Sequence, residues 1–153
     1  MNEFNTIEKV QELFRNIDGL GNDNLFFIAC QDKQKVSGVA AGMEYPYDGL
    51  LINACERGIY MFYLKAASGL SGLFTLSNPA KMSVQKDKYV FIPTNNIRSI
   101  IVKNFALLNS KKKRIEINTL DGKSHKLYCK VDETDFPYHK DNFISFTEKY
   151  SNK

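Results

Sequence analysis

Residues 114–130 read RIEINTLDGKSHKLYCK, two short alternating segments on either side of Thr119-Leu120-Asp121-Gly122-Lys123. Alternation of period two marks half-buried strands, and Asp-Gly between them marks a hairpin turn. A two-residue turn on Asp121-Gly122 would set Ile117 opposite Lys126 and Glu116 opposite Leu127, mixing apolar and charged side chains on both faces. A three-residue loop with Gly122 left-handed, a type I turn closed by a G1 bulge, sets Thr119 opposite Lys123 instead. Ile117 then faces His125 and Ile115 faces Leu127 on one side, while Glu116 faces Lys126 and Asn118 faces Ser124 on the other. A slip of one residue would send every side chain to the wrong face, so the segregated register is the expected one.

Upstream, residues 50–64, LLINACERGIYMFYL, repeat this logic. Glycine at the fourth place of Cys55-Glu56-Arg57-Gly58-Ile59 predicts a second bulged loop with Gly58 at positive φ. Cys55 would then face Ile59, Asn53 Met61 and Leu51 Tyr63, with Ala54 against Tyr60 and Ile52 against Phe62 on the other side. Both faces are largely apolar, which predicts cover on both. Residues 25–30 and 36–43 also read as strands, as do 89–92, ended by Pro93, and 97–102 after a turn at Thr94-Asn95-Asn96. Residues 66–88, broken by Gly69, Gly72, Asn78 and Pro79, read as a long connection.

A helix is expected at each end of the strands. Phe4, Ile7, Val10, Leu13, Phe14 and Ile17 form an apolar stripe over residues 3–17, inside an N-terminal helical region 1–20, with Asn2 or Asn5 as cap and Gly19 and Gly21 as stop. The second, 136–150, takes Asp135 as cap and Pro137 in its first turn. Phe136, Phe143, Ile144, Phe146 and Tyr150 give it an apolar side that would close one end of the sheet, leaving His139 on its surface.

The chain has 153 residues, 43 % hydrophobic and 25 % charged, with 11 Phe, 8 Tyr and no Trp, enough for one core without disulfides or metals. Its formal net charge of +4 is small beside that of dedicated nucleic-acid binders. No basic region followed by an apolar run opens the chain, and no window approaches the ~20 apolar residues of a membrane span, so a cytoplasmic protein is expected. Cys30, Cys55 and Cys129 are odd in number and widely spaced, which predicts buried, reduced thiols.

Three phrases resemble the bacterial members of the pleckstrin-homology-like superfamily, which are akin to GRAM domains: DGLLINACERGIYMFY at 48–63, YVFIPTNNIRSIIVKN at 89–104 and RIEINTLDGKSHKLYC at 114–129, followed by the aromatic helix 136–150. The resemblance covers residues 25–150. It departs from the family pattern at Ala54, where a threonine is usual, at the added Gly58, and in the N-terminal helix and the 66–88 connection. It implies an α+β, mainly β fold: an antiparallel barrel-like sheet of about seven strands, with a capping C-terminal helix and an extra N-terminal helix, one domain over 1–153. It also implies a non-enzymatic binding or assembly platform. Lys33 and Lys35 stand in a hairpin loop without an arginine, so phosphoinositide recognition is not implied.

Two candidate surfaces follow. Leu70, Leu73, Phe74 and Leu76, outside the strand pattern, are the expected surface for a protein partner or a homo-oligomer. Lys111, Lys112, Lys113 and Arg114 form a basic patch suited to weak contact with an anionic surface, with no specific nucleic acid expected. An alternative is a small enzyme or ligand-binding protein with a pocket between the 66–88 connection and the sheet. No catalytic residues, cofactor or metal are expected. His125 and Cys129 share a face, but four residues of strand hold them about 13 Å apart. Asp132, Glu133 and Asp135 lack the spacing of a calcium loop, and residues 69–72 lack the Gly-Lys-Ser/Thr of a phosphate loop.

Overall fold

The computed structural model describes residues 3–31, 49–65, 82–106 and 109–150. Among them, helix α1 (Ile7–Arg15) is followed by strands β1 (Leu25–Gln31), β2 (Gly49–Cys55), β3 (Gly58–Lys65), β4 (Ser83–Pro93), β5 (Ile97–Ala106), β6 (Asn109–Thr119) and β7 (Ser124–Lys130), and then by helix α2 (His139–Tyr150). The strands form one open antiparallel sheet in the order β4-β3-β2-β1-β7-β6-β5. The protein is thus mainly β, with a helix at each end of the strand series. The strand expected at 36–43 lies outside the described residues.

The β6–β7 hairpin has the expected register, Ile115 opposite Leu127 and Ile117 opposite His125. Its loop closes as a type I turn requires: Gly122 N–H donates to the Thr119 carbonyl at 3.2 Å, Thr119 N–H to the Lys123 carbonyl at 2.9 Å, and Gly122 takes φ +88°. The β2–β3 hairpin departs from expectation by one residue. Cys55 pairs with Gly58 and Leu51 with Phe62 across a two-residue loop, Glu56-Arg57, although Gly58 does adopt positive φ, at +146°. Both strands are buried on both faces, so polarity does not select a register here. The loop's other contacts do. The Glu56 carboxylate accepts from the N–H groups of Asn22 and Asp23 at 2.6 and 3.1 Å, and Arg57 donates to the carbonyls of Asp18 and Leu20 at 2.8 and 3.1 Å. Gly58 lies so close to β4 that an added Cβ would stand 2.2 Å from the Ile92 carbonyl oxygen.

Alternation splits the apolar residues into two layers. Phe26, Ile28, Leu51, Tyr60 and Phe62 face the side covered by α1, where Phe14 packs between the rings of Phe26 and Phe62 at 5.6 and 5.0 Å. Phe27, Leu50, Ile52, Met61, Ile100, Ile115, Ile117 and Leu127 face the interior, into which α2 inserts Phe143 and Phe146. Thr6 rather than Asn2 or Asn5 caps α1, its Oγ1 accepting from Lys9 N–H, and Asp18 at φ 54° rather than a glycine turns the chain out of the helix. Residues 83–88, expected as connection, belong to β4.

Helix α2 begins three residues later than the sequence suggests, and its apolar residues do not share one side. Phe136 precedes the helix and stacks on Phe4 at 5.2 Å in the α1 layer, while Phe143 and Phe146 fill the interior and Ile144 is 37 % exposed. The segment crosses from one layer to the other at the seam where β1 meets β7.

Candidate functional site

Among the described residues strands β1 and β7 pair at two positions, Cys30 with Tyr128 and Gln31 with Leu127. Continued by two residues, the register would set Ile28 opposite Lys130, and there a side chain takes the place of the ladder bond. His139 is fully buried, not at the surface as expected: Ile28 N–H donates to its Nδ1 at 3.0 Å, so its Nε2 carries the proton and donates to the Lys130 carbonyl at 2.7 Å. Asn142 donates to the Phe26 carbonyl at 3.1 Å, and the Cys129 thiol to the Ile28 carbonyl at 3.1 Å. Backbone groups that the parting ladder would leave unpaired are thereby satisfied.

Cys129 Sγ also stands 3.8 Å from His139 Nε2, a closer thiol–imidazole pair than the His125 and Cys129 weighed from sequence. It is not arranged for nucleophilic catalysis. The nitrogen nearest sulfur bears the proton, and the basic nitrogen is occupied by Ile28 N–H. Burial raises the Cys129 pKa and lowers that of His139, favouring the neutral form of both. Burial likewise pushes the Cys30 thiol up to about 11. All three cysteines are buried and free. Among the described residues no group of three or more His, Cys, Asp or Glu is placed to hold a metal ion.

The surface that stands out is the outward face of β5–β6–β7. Strand alternation divides the basic run at 111–114: Lys112 and Arg114 point outward, while Lys113 falls in the row of Ile115 and Ile117 and donates to Asn104 Oδ1 at 2.5 Å. The run is therefore part of strand β6, at the end of the β5–β6 hairpin that the Ala106–Asn109 pair closes. Register brings Lys103, Lys126 and Lys130 to the same face, giving five cations with one carboxylate, Glu116, which pairs with Lys103 at 3.6 Å. Lys103 lies directly opposite Arg114, and Lys112 directly opposite Lys130. Lys103, Lys126, Lys130 and Ile101 are exposed, and Lys112, Arg114 and Tyr128 are half-buried among them.

Beyond Lys112 and Lys130 the face runs into a cleft also lined by Lys111, Lys140 and Asp132. At its other end Arg98 and Lys123 flank a polar cleft holding Ser99, Asn118 and Ser124. No protein-family model, curated protein or solved structure matches the chain.

Sequence reasoning found Lys112 and Arg114 but missed Lys103, Lys126 and Lys130 as members of one surface. The signal was present, since the expected hairpin register already placed Glu116 and Lys126 on a charged face. Leu70, Leu73, Phe74 and Leu76, with the pocket expected between 66–88 and the sheet, lie outside the described residues. No helix among the described residues is long and apolar enough to cross a membrane.

Proposed function

We propose that the chain is a non-enzymatic binding module on a pleckstrin-homology-like fold, and that it binds through the outward face of β5–β6–β7. Seven antiparallel strands and a C-terminal helix lying against β1 support the fold part of this reading, although the sheet is open and not the barrel-like one that the resemblance implies. One observation carries the functional reading: Lys103 against Arg114 and Lys112 against Lys130 are like charges directly opposite across strands. Such pairs oppose a sheet's stability, and Glu116, 3.6 Å from Lys103, offsets part of that cost. Stability given up in this way is the mark of a surface kept for a ligand.

The same side of the sheet makes the contrast plain. Along β1–β3 it is apolar and packed against α1, while along β5–β7, among the described residues, it is cationic, with Lys103, Lys126 and Lys130 exposed. Elution from immobilised heparin tests the reading. The double variant Lys103→Gln/Lys130→Gln should elute at lower salt than Lys86→Gln/Lys149→Gln, which has the same net charge. Equal elution of the two variants would show that overall charge, not this face, governs binding.

A further inference from the structure

The cations are not spread evenly over the face. Lys103 and Arg114 form one cross-strand row, and Lys112 and Lys130 the next, two residues on and so ~6.6 Å along the strands. At the end of the band Lys112 and Lys130 line a cleft together with Lys111 and Lys140, which belong to the other side of the sheet, and one carboxylate, Asp132. Four of the five cations on this face thus follow a path, and the fifth, Lys126, stands opposite Glu116. On the other side of the first row, Glu116 stands opposite both Ile101 and Lys126, where a broad anionic plane would meet a carboxylate. Glu116 is held by Lys103 at 3.6 Å, and a narrow chain with a charge on every unit can run from Arg114 to Lys112 and Lys130, away from it. Tyr128, half-buried and directly opposite Arg114, stands beside the path with an aromatic ring.

We infer that the band from Lys103 and Arg114 to Lys112 and Lys130 binds single-stranded nucleic acid without sequence preference, with the cations on phosphates and Tyr128 stacked on a base. Phosphate contact by basic side chains with base stacking on an aromatic ring is how sequence-independent single-strand binding is built. The inference rests on the proposal that this face is the binding surface.

Fluorescence anisotropy with a labelled oligothymidine tests it. Contacts to four phosphates give a slope of about −2.8 for log K against log salt, so affinity should fall about fifty-fold between 50 and 200 mM salt. Lys103→Gln/Lys130→Gln replaces exposed side chains only and should reduce the slope to about −1.4. Tyr128→Leu keeps apolar bulk and should weaken binding about tenfold with the slope unchanged. Melting curves of both variants establish that they are folded. Absence of binding at 50 mM salt, or an affinity that neither variant alters, would overturn the inference. Sedimentation with phosphatidylserine vesicles separates this failure from that of the underlying reading. Vesicle binding lost in Lys103→Gln/Lys130→Gln, without oligonucleotide binding, rejects nucleic acid and keeps the face. If heparin, vesicles and oligonucleotide all fail to distinguish that variant from wild type, the face itself is rejected.

Discussion

His139 shows how one side chain ties local chemistry to global stability. Its ring must be neutral, because Nδ1 accepts from Ile28 N–H while Nε2–H donates to the Lys130 carbonyl. Burial holds its pKa below the ordinary value of 6.5. The unfolded chain therefore takes up a proton at a higher pH than the folded one. Its contribution is fully present above pH ~6.5 and is lost as pH falls below it, with a limiting slope of about 1.4 kcal/mol per pH unit for one proton. Melting temperature should accordingly drop between pH 7 and pH 5.5. His125, also shifted down by burial, acts in the same direction, whereas Glu133, whose carboxyl burial raises, acts in the opposite sense at lower pH. His139→Gln isolates the buried ring: it should melt lower than wild type at pH 7 and show a shallower pH dependence. An unchanged pH profile in that variant would assign the titration elsewhere.

At the level of elements, what could be read from sequence depended on whether an element has a polar face. The β6–β7 register was legible because one side carries Ile115, Ile117 and Leu127 and the other Glu116, Lys126 and Lys112, so a slip is costly. The β2–β3 register was not, since every residue from Gly49 to Cys55 is buried and either pairing is apolar. Contacts 33 to 39 residues away, from Glu56 and Arg57 to the segment after α1, fixed it instead. Helix α2 was misread for a related reason. Phe136, Phe143 and Ile144 fit one helical stripe on paper, yet they serve one layer, the other, and solvent. Only the existence of the seam explains why, and the seam depends on pairing between distant strands. The role of α2 is tested by ending the chain at Asp135. That fragment loses Phe143 and Phe146 from the interior, each worth about 3–5 kcal/mol when truncated to alanine, and uncovers Ile28 N–H and the Phe26 carbonyl. Against a total of roughly 5–15 kcal/mol it should not fold cooperatively. A soluble fragment with a sharp melting transition would show that α2 is dispensable.

For the whole molecule, two apolar layers on one sheet mean that no thiol can be reached without opening the core. Cys55 and Cys30 lie toward the α1 side and Cys129 toward the interior, each no more than 7 % exposed. Titration with a thiol reagent should therefore count three groups in denaturant and react slowly in buffer, at a rate that rises as the fold is destabilised. A count of one in denaturant would reveal a disulfide and contradict the packing of all three side chains.

The ring at the seam also bears on the order in which the molecule assembles. Strands β1 to β4 and β5 to β7 each pair with partners close by in the chain, whereas the link from Ile28 to His139 closes a loop of 111 residues. Closing so long a loop costs chain entropy before its contacts return anything, so short-range meanders form first and the distant junction last. The two halves of the sheet are then expected to gain their contacts before the seam between them closes. The imidazole, with the two β1–β7 pairs beside it, is the latch that joins them, and a newly made chain lacks that bond until residue 139 has left the ribosome.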